Sequence, residues 1–510
     1  MRKRRLLRPR VVLAPDAGVC ARPSWVSASA MLAATSRLAA GPASLALAAL
    51  ALAAPTVARA AVRVDGPLRA PLPNGFAGIS VETDTLGTWF APGGCRSPAR
   101  AVLRLLGRPE IRVGGNSQDR LWPHAPLPSG QQEVAAGPYF HGLRCLAATG
   151  SPLLVGLNLL GRDAQATGDL LSAVESVVPA RQLAIAVGNE PNLYGGRLPS
   201  PGAYDGYLQL YGQTIDALLA RFGGHLPPLA GPDAATWRWR PETVRFLTDA
   251  HPSILDAHLY GLNGCRATPG APGFPSVAGL LAPGASTDLV AQLGGIAAAA
   301  RGAGITAQLS EVNSVACRGI SGVSDHPASA LWALSVLGSA AVTGFDRVQF
   351  HMSNGNYDPF VPQPDGTVAF HPLMTAMVLA DRLWPAGTRP MHLRGVLPPG
   401  VGAWAARRPG GDVGIVVVNR DMTHGRRVTL RTAGGRATAG RLRGAGGYAV
   451  TLDGQQLAWA HGAPVWRGHR TVHRLPVRHG HVTIALAPLS AAWLRLGGRP
   501  AGAAARPAAS

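Results

Sequence analysis

The sequence has little charge, and almost none of its positive charge comes from lysine. Charged residues make up 15% of the 510 residues, and Lys3 is the single lysine among many arginines. Because the apolar fraction reaches 47%, the low charge does not indicate a disordered chain, which would be poor in apolar residues. The length suits a large domain of about 250–330 residues followed by a smaller one.

Acidic residues are scarce relative to arginine, so the formal net charge is +21. Two interpretations stay open: a compositional bias of the whole chain towards Ala, Gly, Pro and Arg, or attraction of a polyanionic substrate or surface. No basic run alternates with aromatic residues, as it does in nucleic-acid grooves. We therefore expect no nucleic-acid partner.

Cysteine is also rare, and no CxxC motif or Cys/His spacing is present, which excludes the common structural zinc sites. We expect no metal and no cofactor. Cys20 lies in the N-terminal leader described next, and an even number of cysteines remains, which predicts two disulfides after export. Four cysteines allow three pairings, and the four are Cys95, Cys145, Cys265 and Cys317.

Residues 1–60 have the features of a signal peptide. Basic residues come first, an apolar run covers residues 43–54, and Ala58 and Ala60 fit a cleavage site before Ala61. The run is too short for a membrane span, so we expect a secreted or periplasmic chain without one. Met31 opens a segment of ordinary signal length and is an alternative start. Cleavage leaves a formal charge of +13 on a mature chain that we expect to be monomeric.

From residue 75 onward, apolar strand-like segments alternate with segments of helical period, such as residues 203–222 and 328–342. Eight such alternations predict an α/β fold, a (β/α)8 TIM barrel, over residues 61–385. The strand-like segments are 76–82, 111–114, 153–159, 183–187, 229–231, 255–260, 307–309 and 347–351.

Near residue 385 the pattern changes to short alternating strands separated by Gly-rich turns. This predicts a C-terminal β-sandwich over residues 386–498, followed by a disordered tail over 499–510. The predicted strands are 413–418, 427–430, 449–452, 482–486 and 491–496.

A glutamate directly follows two of the predicted barrel strands. Glu190 follows the fourth strand and Glu311 the seventh. Active sites of such barrels form at the C-terminal ends of the strands. Glycosidic hydrolysis with retention needs one carboxyl group to protonate the leaving oxygen and another, about 5–5.5 Å away, to attack the anomeric carbon. Asn189 precedes Glu190, and its amide is suited to bind a sugar 2-hydroxyl.

The run Gly188-Asn189-Glu190-Pro191, with a second glutamate at strand seven, resembles the clan of retaining (β/α)8 glycosidases. Narrower motifs occur at residues 112–117 after strand two, at 258–260 ending strand six, and at 319–325 after Glu311. With these motifs the chain resembles glycoside hydrolase family 79, the heparanase and β-glucuronidase family. The resemblance covers the barrel and extends into the sandwich.

The resemblance implies a role for each matching residue. It makes Glu190 the general acid/base, Glu311 the nucleophile and Tyr260 a hydrogen-bond donor to the nucleophile. Tyr260 and Tyr357 could instead be ordinary packing residues, and Glu82 could form a salt bridge with Arg112. The expected substrate-binding residues are Glu82, Asn189, Tyr260, Arg318, Gly319 and Tyr357, with Arg112, Asn116 and His258 supporting them from behind.

The loop after Glu311 departs from the family pattern. Members that bind glucuronate often have a tyrosine followed by glycines there, whereas this chain has Cys317 and Arg318. Arg318 could hold a sugar carboxylate or be merely exposed to solvent. Since loops after adjacent strands are neighbours, we predict a Cys265–Cys317 disulfide, which leaves Cys95 to pair with Cys145.

These features predict a secreted retaining β-glycoside hydrolase acting on an oligo- or polysaccharide, with β-glucuronides as the expected substrates. One alternative is a β-xylosidase or β-glucosidase of the same clan. A second is a barrel that binds glycans without catalysis. A third is an envelope-associated scaffold in which the sandwich binds polysaccharide through Trp459 and Trp466.

Overall fold

The computed structural model describes residues 61–124, 127–128, 132–133, 137–199, 203–235, 238–265 and 268–497. The predicted leader and the predicted C-terminal tail lie outside these residues. None of the helices within the described ranges is long and apolar enough to cross a membrane.

Eight parallel strands close into a barrel, which confirms the predicted (β/α)8 fold. We number them as barrel strands 1 to 8 in chain order. Their inward and outward side chains are almost all buried, as expected for strands surrounded by helices. The strands are Ala77–Glu82, Ile111–Gly114, Leu153–Leu157, Leu183–Val187, Leu229–Ala235, Ile254–Leu262, Thr306–Val315 and Arg347–Met352.

Barrel strands 5, 6 and 7 continue several residues beyond their predicted ends. Their pairing registers shift between Gly231 and Ala234 and between Leu309 and Glu311. Each irregularity adds a residue to one strand and redirects the following side chains. Because the extensions of barrel strands 5 and 7 carry buried polar residues such as Asp233, Ser310 and Glu311, an apolar pattern alone ends these two strands too early.

Helices surround the barrel, and Ala328–Thr343 is the most deeply buried of them, with nearly every side chain enclosed. A helix that is apolar on all sides must be covered on all sides. It packs between the barrel and the second domain, where a Cβ atom on Gly338 would come within 2.3 Å of the Trp404 ring. The α-helices are Leu86–Phe90, Pro92–Cys95, Pro98–Leu103, Pro138–Ala147, Ala164–Glu175, Ala203–Arg221, Arg240–Ala250, Val277–Leu281, Thr287–Gln292, Gly294–Gly302, Ala328–Thr343 and Pro372–Leu383.

The second domain is a mostly antiparallel sheet of ten strands wrapped around its own apolar core, in agreement with the predicted sandwich. Nine strands follow one another in space, and His473–Leu475 pairs with the second of them. In spatial order the nine are Val450–Leu452, Ala437–Gly444, Ser490–Leu496, Val413–Asn419, Val401–Arg407, Arg389–Arg394, Val62–Pro67, Arg426–Arg431 and His481–Leu486.

The segment 61–385, predicted as barrel, does not begin with a barrel strand. Val62–Pro67 instead pairs antiparallel with Arg389–Arg394 and parallel with Arg426–Arg431 in the second domain. Val62 lies in the apolar core of that domain. Without the strand Val62–Pro67, the strands Arg389–Arg394 and Arg426–Arg431 would each have an open edge. The N-terminal end of the described chain is therefore part of the C-terminal domain.

Three two-stranded sheets complete the described structure. One follows barrel strand 8, and another projects from the second domain and packs against the barrel. Their strands are Leu121–Trp122 with Gln132–Glu133, Phe360–Pro362 with Val368–Phe370, and Gln456–Ala460 with Ala463–Arg467.

Candidate active site

The barrel brings Glu190 and Glu311 together at its mouth, as the sequence predicts. One carboxylate oxygen of each lies within 4.8 Å of the other and of a ring nitrogen of His258. Glu190 follows barrel strand 4, whereas Glu311 lies within barrel strand 7, at the register shift. This separation falls near the short carboxylate spacing of retaining glycosidases.

Both oxygens of the Glu311 carboxylate are held by donors. Tyr260 Oη donates to Oε1 at 2.5 Å, and Arg112 Nη1 donates to Oε2 at 2.8 Å. Burial by itself raises the pKa of Glu311, but the nearby charges of His351, His258 and Arg112 and the Tyr260 hydrogen bond lower that pKa to about 2. Glu311 is therefore ionised at neutral pH and fixed in orientation.

Arg112 is the centre of a buried polar network. Besides Glu311, its guanidinium donates to Asn189 Oδ1 at 2.8 Å and to Asp233 Oδ2 at 2.6 Å. Its side chain is 1% exposed, and the two carboxylates outweigh the burial penalty and raise its pKa. A fully buried guanidinium is tolerated only with such partners, so Arg112 and its acids form one unit.

Glu190 has a different environment. Its backbone is left-handed, with φ 46° and ψ 54°, and its amide donates to the carbonyl oxygen of Asp233 at 2.8 Å. A non-glycine residue in this region is held there at an energetic cost, which is common at functional sites. Its Oε1 lies 3.0 Å from His258 Nδ1, and its side chain is 13% exposed. Glu190 thus faces solvent more than Glu311 does.

His258 bridges Glu190 and Asp233. Its Nδ1 faces Glu190, and its Nε2 lies 2.9 Å from Asp233 Oδ1. Burial lowers the pKa of His258, but Asp233 and Glu311 outweigh that effect and raise it to about 10. Both ring nitrogens therefore carry protons at neutral pH and donate to the two carboxylates. Glu190, His258 and Glu311 are also close enough to one another to act as metal ligands.

The raised pKa of His258 predicts a specific pH dependence of stability. A histidine whose pKa is higher in the folded than in the unfolded chain stabilises the fold fully below its unfolded pKa of about 6.5. That contribution is lost as the pH rises through about 10. Between these values, urea denaturation should show a steeper fall in the unfolding free energy of the wild type than of His258→Gln. Parallel curves would contradict the assignment.

Glu82 does not form the salt bridge with Arg112 that the sequence left as an alternative. Its Oε1 accepts from the Ser117 amide at 2.6 Å, and its Oε2 lies 3.2 Å from His351 Nε2. Burial raises the pKa of Glu82, but the His351 and Ser117 contacts lower it overall. A Cβ atom on Gly115, whose φ is 87°, would lie 2.4 Å from this carboxylate, so the turn requires glycine.

Two asparagines lie beside Glu190 at the barrel mouth. Asn189 is buried, and its Nδ2 donates to Asn116 Oδ1 at 3.3 Å. Asn116 itself is exposed, so it lies closer to the opening than a supporting residue would. Arg112 donates to Asn189 Oδ1, so Asn189 is oriented with one amide hydrogen still available to a sugar hydroxyl.

Tyr357 is buried beside the nucleophile. Its ring centroid lies 6.3 Å from that of Tyr260, and its Oη lies 2.7 Å from Ser353 Oγ. Burial raises the pKa of Tyr357, so its hydroxyl is neutral. It contacts the site mainly as an aromatic wall.

Arg318 is exposed and lines a cavity of ≈ 480 Å³ formed by the loops after barrel strands 7 and 8. Gly319 adopts φ 75°, and a Cβ atom there would lie 2.9 Å from the Tyr357 amide. This places the Arg318 loop directly against the backbone of Tyr357. The other cavity residues are Asp325, Asn354, Gly355, Asn356, Val361, Gln363, Ala369 and His371.

Two disulfides are formed. Cys265 is joined to Cys317 with Cα atoms 5.0 Å apart, the pair predicted from adjacent loops. Cys95 is joined to Cys145. The first disulfide ties the loop that carries Arg318 to the end of barrel strand 6, and it restricts the movement of that loop.

Sequence reasoning missed Asp233, whereas His351, at the end of barrel strand 8, could be expected from the sequence either to line the pocket or to be a buried core histidine. Asp233 links Arg112, His258 and Ser310, and His351 Nδ1 lies 3.8 Å from Glu311 Oε2. Burial raises the pKa of Asp233, but Arg112 and His258 lower it overall. The available signal was an acidic residue directly after the Gly231-Pro232 step. The strand predicted there ended at residue 231, so Asp233 was not counted among the residues of the barrel mouth.

Trp459 and Trp466 do not form an exposed platform. Both are half-buried and pack against the core of the barrel, and the Arg382 guanidinium lies 4.6 Å from the Trp466 ring centroid. These contacts argue against the polysaccharide-binding role that was considered for these two residues.

No protein-family model matches the chain, and no curated protein matches it. Among solved structures, it is similar to a 4-O-α-L-rhamnosyl-β-D-glucuronidase from Fusarium oxysporum 12S at 19% identity and a TM-score of 0.67, covering 86% of this chain and 99% of that one. A family 51 α-L-arabinofuranosidase from Bifidobacterium longum is 13% identical with a TM-score of 0.61, at the same coverages. A bifunctional glucanase-xylanase from a metagenome library is 13% identical with a TM-score of 0.58, also at those coverages. These similarities establish the two-domain fold.

Proposed function

We propose that the protein is a retaining β-glycoside hydrolase in which Glu190 is the general acid/base and Glu311 the nucleophile. The observation that carries this proposal is the pair of carboxylates within 4.8 Å of each other and in unlike environments. Glu311 is buried among cationic partners, while Glu190 is more exposed and touches His258. Such an asymmetric pair suits one group that stays ionised and one that exchanges protons.

In the first step, protonated Glu190 donates its proton to the glycosidic oxygen while Glu311 attacks the anomeric carbon. The bond to the leaving sugar breaks as the bond to Glu311 forms, which gives a covalent glycosyl-enzyme. In the second step, the Glu190 carboxylate takes a proton from water, and the resulting hydroxide displaces Glu311. Tyr260 and Arg112 hold the two oxygens of Glu311 throughout, so the nucleophile needs little reorientation.

We further propose that the substrates carry a uronic acid, as in β-glucuronides. The support is Arg318, an exposed cation on the loop that follows the strand of the nucleophile, which lines a cavity of ≈ 480 Å³, large enough for a sugar group. A guanidinium matches a carboxylate in a bidentate pair. The fold similarity to a glucuronidase agrees with this, and the two disulfides support export to an oxidising compartment.

The experiment is a comparison of p-nitrophenyl β-glycosides with the purified chain, including the glucuronide, glucoside and xyloside. We expect the glucuronide to have the highest kcat/KM. A preference for a neutral sugar would keep the hydrolase and contradict the uronate specificity. Binding of oligosaccharides by calorimetry with no turnover of any glycoside would instead support a glycan-binding barrel.

Arg318→Gln is expected to raise KM for the glucuronide roughly 10–100-fold, because it removes a hydrogen-bonded ion pair with the sugar carboxylate. KM for the glucoside, which has no carboxylate, should be nearly unchanged. Arg120→Gln is the matched control, because Arg120 is also exposed and lies 3.7 Å from Asp84 at the barrel mouth. Equal effects of Arg318→Gln on both substrates would show that Arg318 does not read the carboxylate.

A further inference from the structure

The positive charge of the mature chain is not spread evenly over its two domains. Residues 61–385 contain 21 arginines and 23 acidic residues, a formal net charge of −2. Residues 386–497 contain 16 arginines and 3 aspartates, a formal net charge of +13. A compositional bias towards arginine would affect both domains alike. The acids are depleted only in the second domain, so its charge calls for a local explanation.

Four adjacent strands of the ten-stranded second domain turn one face to solvent. The strands Arg389–Arg394, Val62–Pro67, Arg426–Arg431 and His481–Leu486 lie side by side, and we call their solvent side the outer face. Their inward residues, such as Val62, Leu430 and Val482, form the core of the domain. Alternation along each strand therefore directs the remaining side chains outward.

The pairing register aligns three arginines and a histidine across the outer face. Arg63 lies opposite Arg394 on one side and opposite Arg431 on the other, and Arg431 lies opposite His481. At about 4.8 Å per strand, this row extends roughly 14 Å across four strands. Arg427 points outward from the same strand as Arg431 and adds a further cation.

Few acids balance this row. Asp65 pairs with Arg394 at 2.6 Å and with Arg63 at 3.6 Å, and it is the one acid among the outward residues of these four strands. Neither Arg427 nor Arg431 has an acidic partner in the part of the chain that the structure describes. The side chains of Arg63 and Arg394 are 51% and 66% exposed. Like charges directly opposite one another on a sheet oppose folding, so their alignment indicates an external anion.

We propose that the outer face is a docking surface for an acidic polysaccharide, bound through its carboxylate or sulfate groups. A row of guanidinium groups one strand apart suits an extended chain with repeated anionic groups. The outward residues of these strands include no Phe, Tyr or Trp on which bases would stack and no large apolar side chain that would enter a bilayer. The surface lies on strands of the second domain, which carry none of the proposed catalytic residues, and it does not depend on the proposed catalytic roles.

The test measures binding of the full chain to polygalacturonate, dextran sulfate and uncharged dextran at increasing NaCl concentrations. We expect salt-sensitive binding to at least one of the two acidic polymers and none to dextran. Removing three cations from the row should weaken that binding roughly tenfold or more, and removing three from the barrel surface should change it by about twofold at most. The two variants are Arg63→Gln/Arg394→Gln/Arg431→Gln and the control Arg104→Gln/Arg108→Gln/Arg181→Gln.

Equal binding by the two triple variants would overturn the proposal, as would equal binding to dextran. Tighter, row-dependent binding to a DNA duplex or to phosphatidylglycerol vesicles would assign the face to another polyanion. The substitutions relieve repulsion between the arginines but also remove the ion pairs of Arg63 and Arg394 with Asp65. Because these effects oppose each other on exposed strands, we expect thermal unfolding to change little, and Arg431→Gln alone provides a milder variant. The row variant should hydrolyse aryl glycosides like the wild type, so failure of docking and failure of the hydrolase assignment are distinguishable.

Discussion

Glu311→Gln is expected to abolish turnover, with kcat lowered by about 10⁴-fold or more. The amide keeps the shape of the side chain but cannot form the glycosyl-enzyme, because its oxygen is a weak nucleophile. It also removes the negative charge that Arg112 and Tyr260 hold in place. The measurement is steady-state hydrolysis of an aryl glycoside together with intact-mass analysis, which should detect no covalent adduct.

Folding must be checked separately, since the substitution disturbs a buried ion network. Arg112 retains Asp233 and Asn189 as partners, so we expect the variant to fold with reduced thermal stability. Glu175→Gln, at an exposed position near the end of the helix Ala164–Glu175, provides a control that should retain full activity. A folded Glu311→Gln protein with wild-type turnover would refute the assignment of the nucleophile.

Glu190→Gln is expected to impair both chemical steps, but in a way that depends on the leaving group. General acid–base catalysis contributes about 10²–10⁴-fold, so hydrolysis of poor leaving groups should fall by that factor. A dinitrophenyl glycoside needs no proton to depart, so its first step should remain fast. The second step lacks its base, and the glycosyl-enzyme should accumulate on Glu311 and appear in intact-mass spectra.

Added azide distinguishes this role from a structural one. Azide attacks the anomeric carbon without base assistance, so it should restore turnover of the dinitrophenyl substrate in Glu190→Gln and give a β-glycosyl azide. It should not give a β-glycosyl azide with Glu311→Gln, because no glycosyl-enzyme forms there for azide to attack. Absence of rescue and of any adduct in Glu190→Gln would assign the proton-transfer role to another group.

The barrel could be predicted because its signals are local. Apolar segments that alternate with segments of helical period mark the eight strands. Glu190 was located by the residues just before it in the sequence. The predictions failed where a strand continues past its apolar part. Barrel strand 7 extends to Val315 with a register shift near Glu311, and barrel strand 5 extends past Asp233. Polar residues buried at a barrel mouth are satisfied by distant partners, which a local pattern does not contain.

The partner of each charged group is likewise a long-range property. The sequence allowed a salt bridge between Glu82 and Arg112, since Glu82 ends barrel strand 1 and Arg112 lies on the adjacent barrel strand 2. Closure of the barrel instead brings His351 of barrel strand 8 next to barrel strand 1, and Glu82 pairs with it. Arg112 is left to neutralise Glu311 and Asp233 from strands on the far side of the barrel.

The sequence by itself therefore determined the fold class, the two glutamates and the even set of cysteines, because the periodic pattern and the residue types are visible along the chain without knowledge of distant contacts. Only the tertiary structure decided that residues 62–67 join the second domain and that Arg63, Arg394 and Arg431 form one row. It also decided how Glu190 and Glu311 differ in exposure and partners. These features depend on strand pairing between distant segments, where barrel closure and sheet register determine which side chains meet.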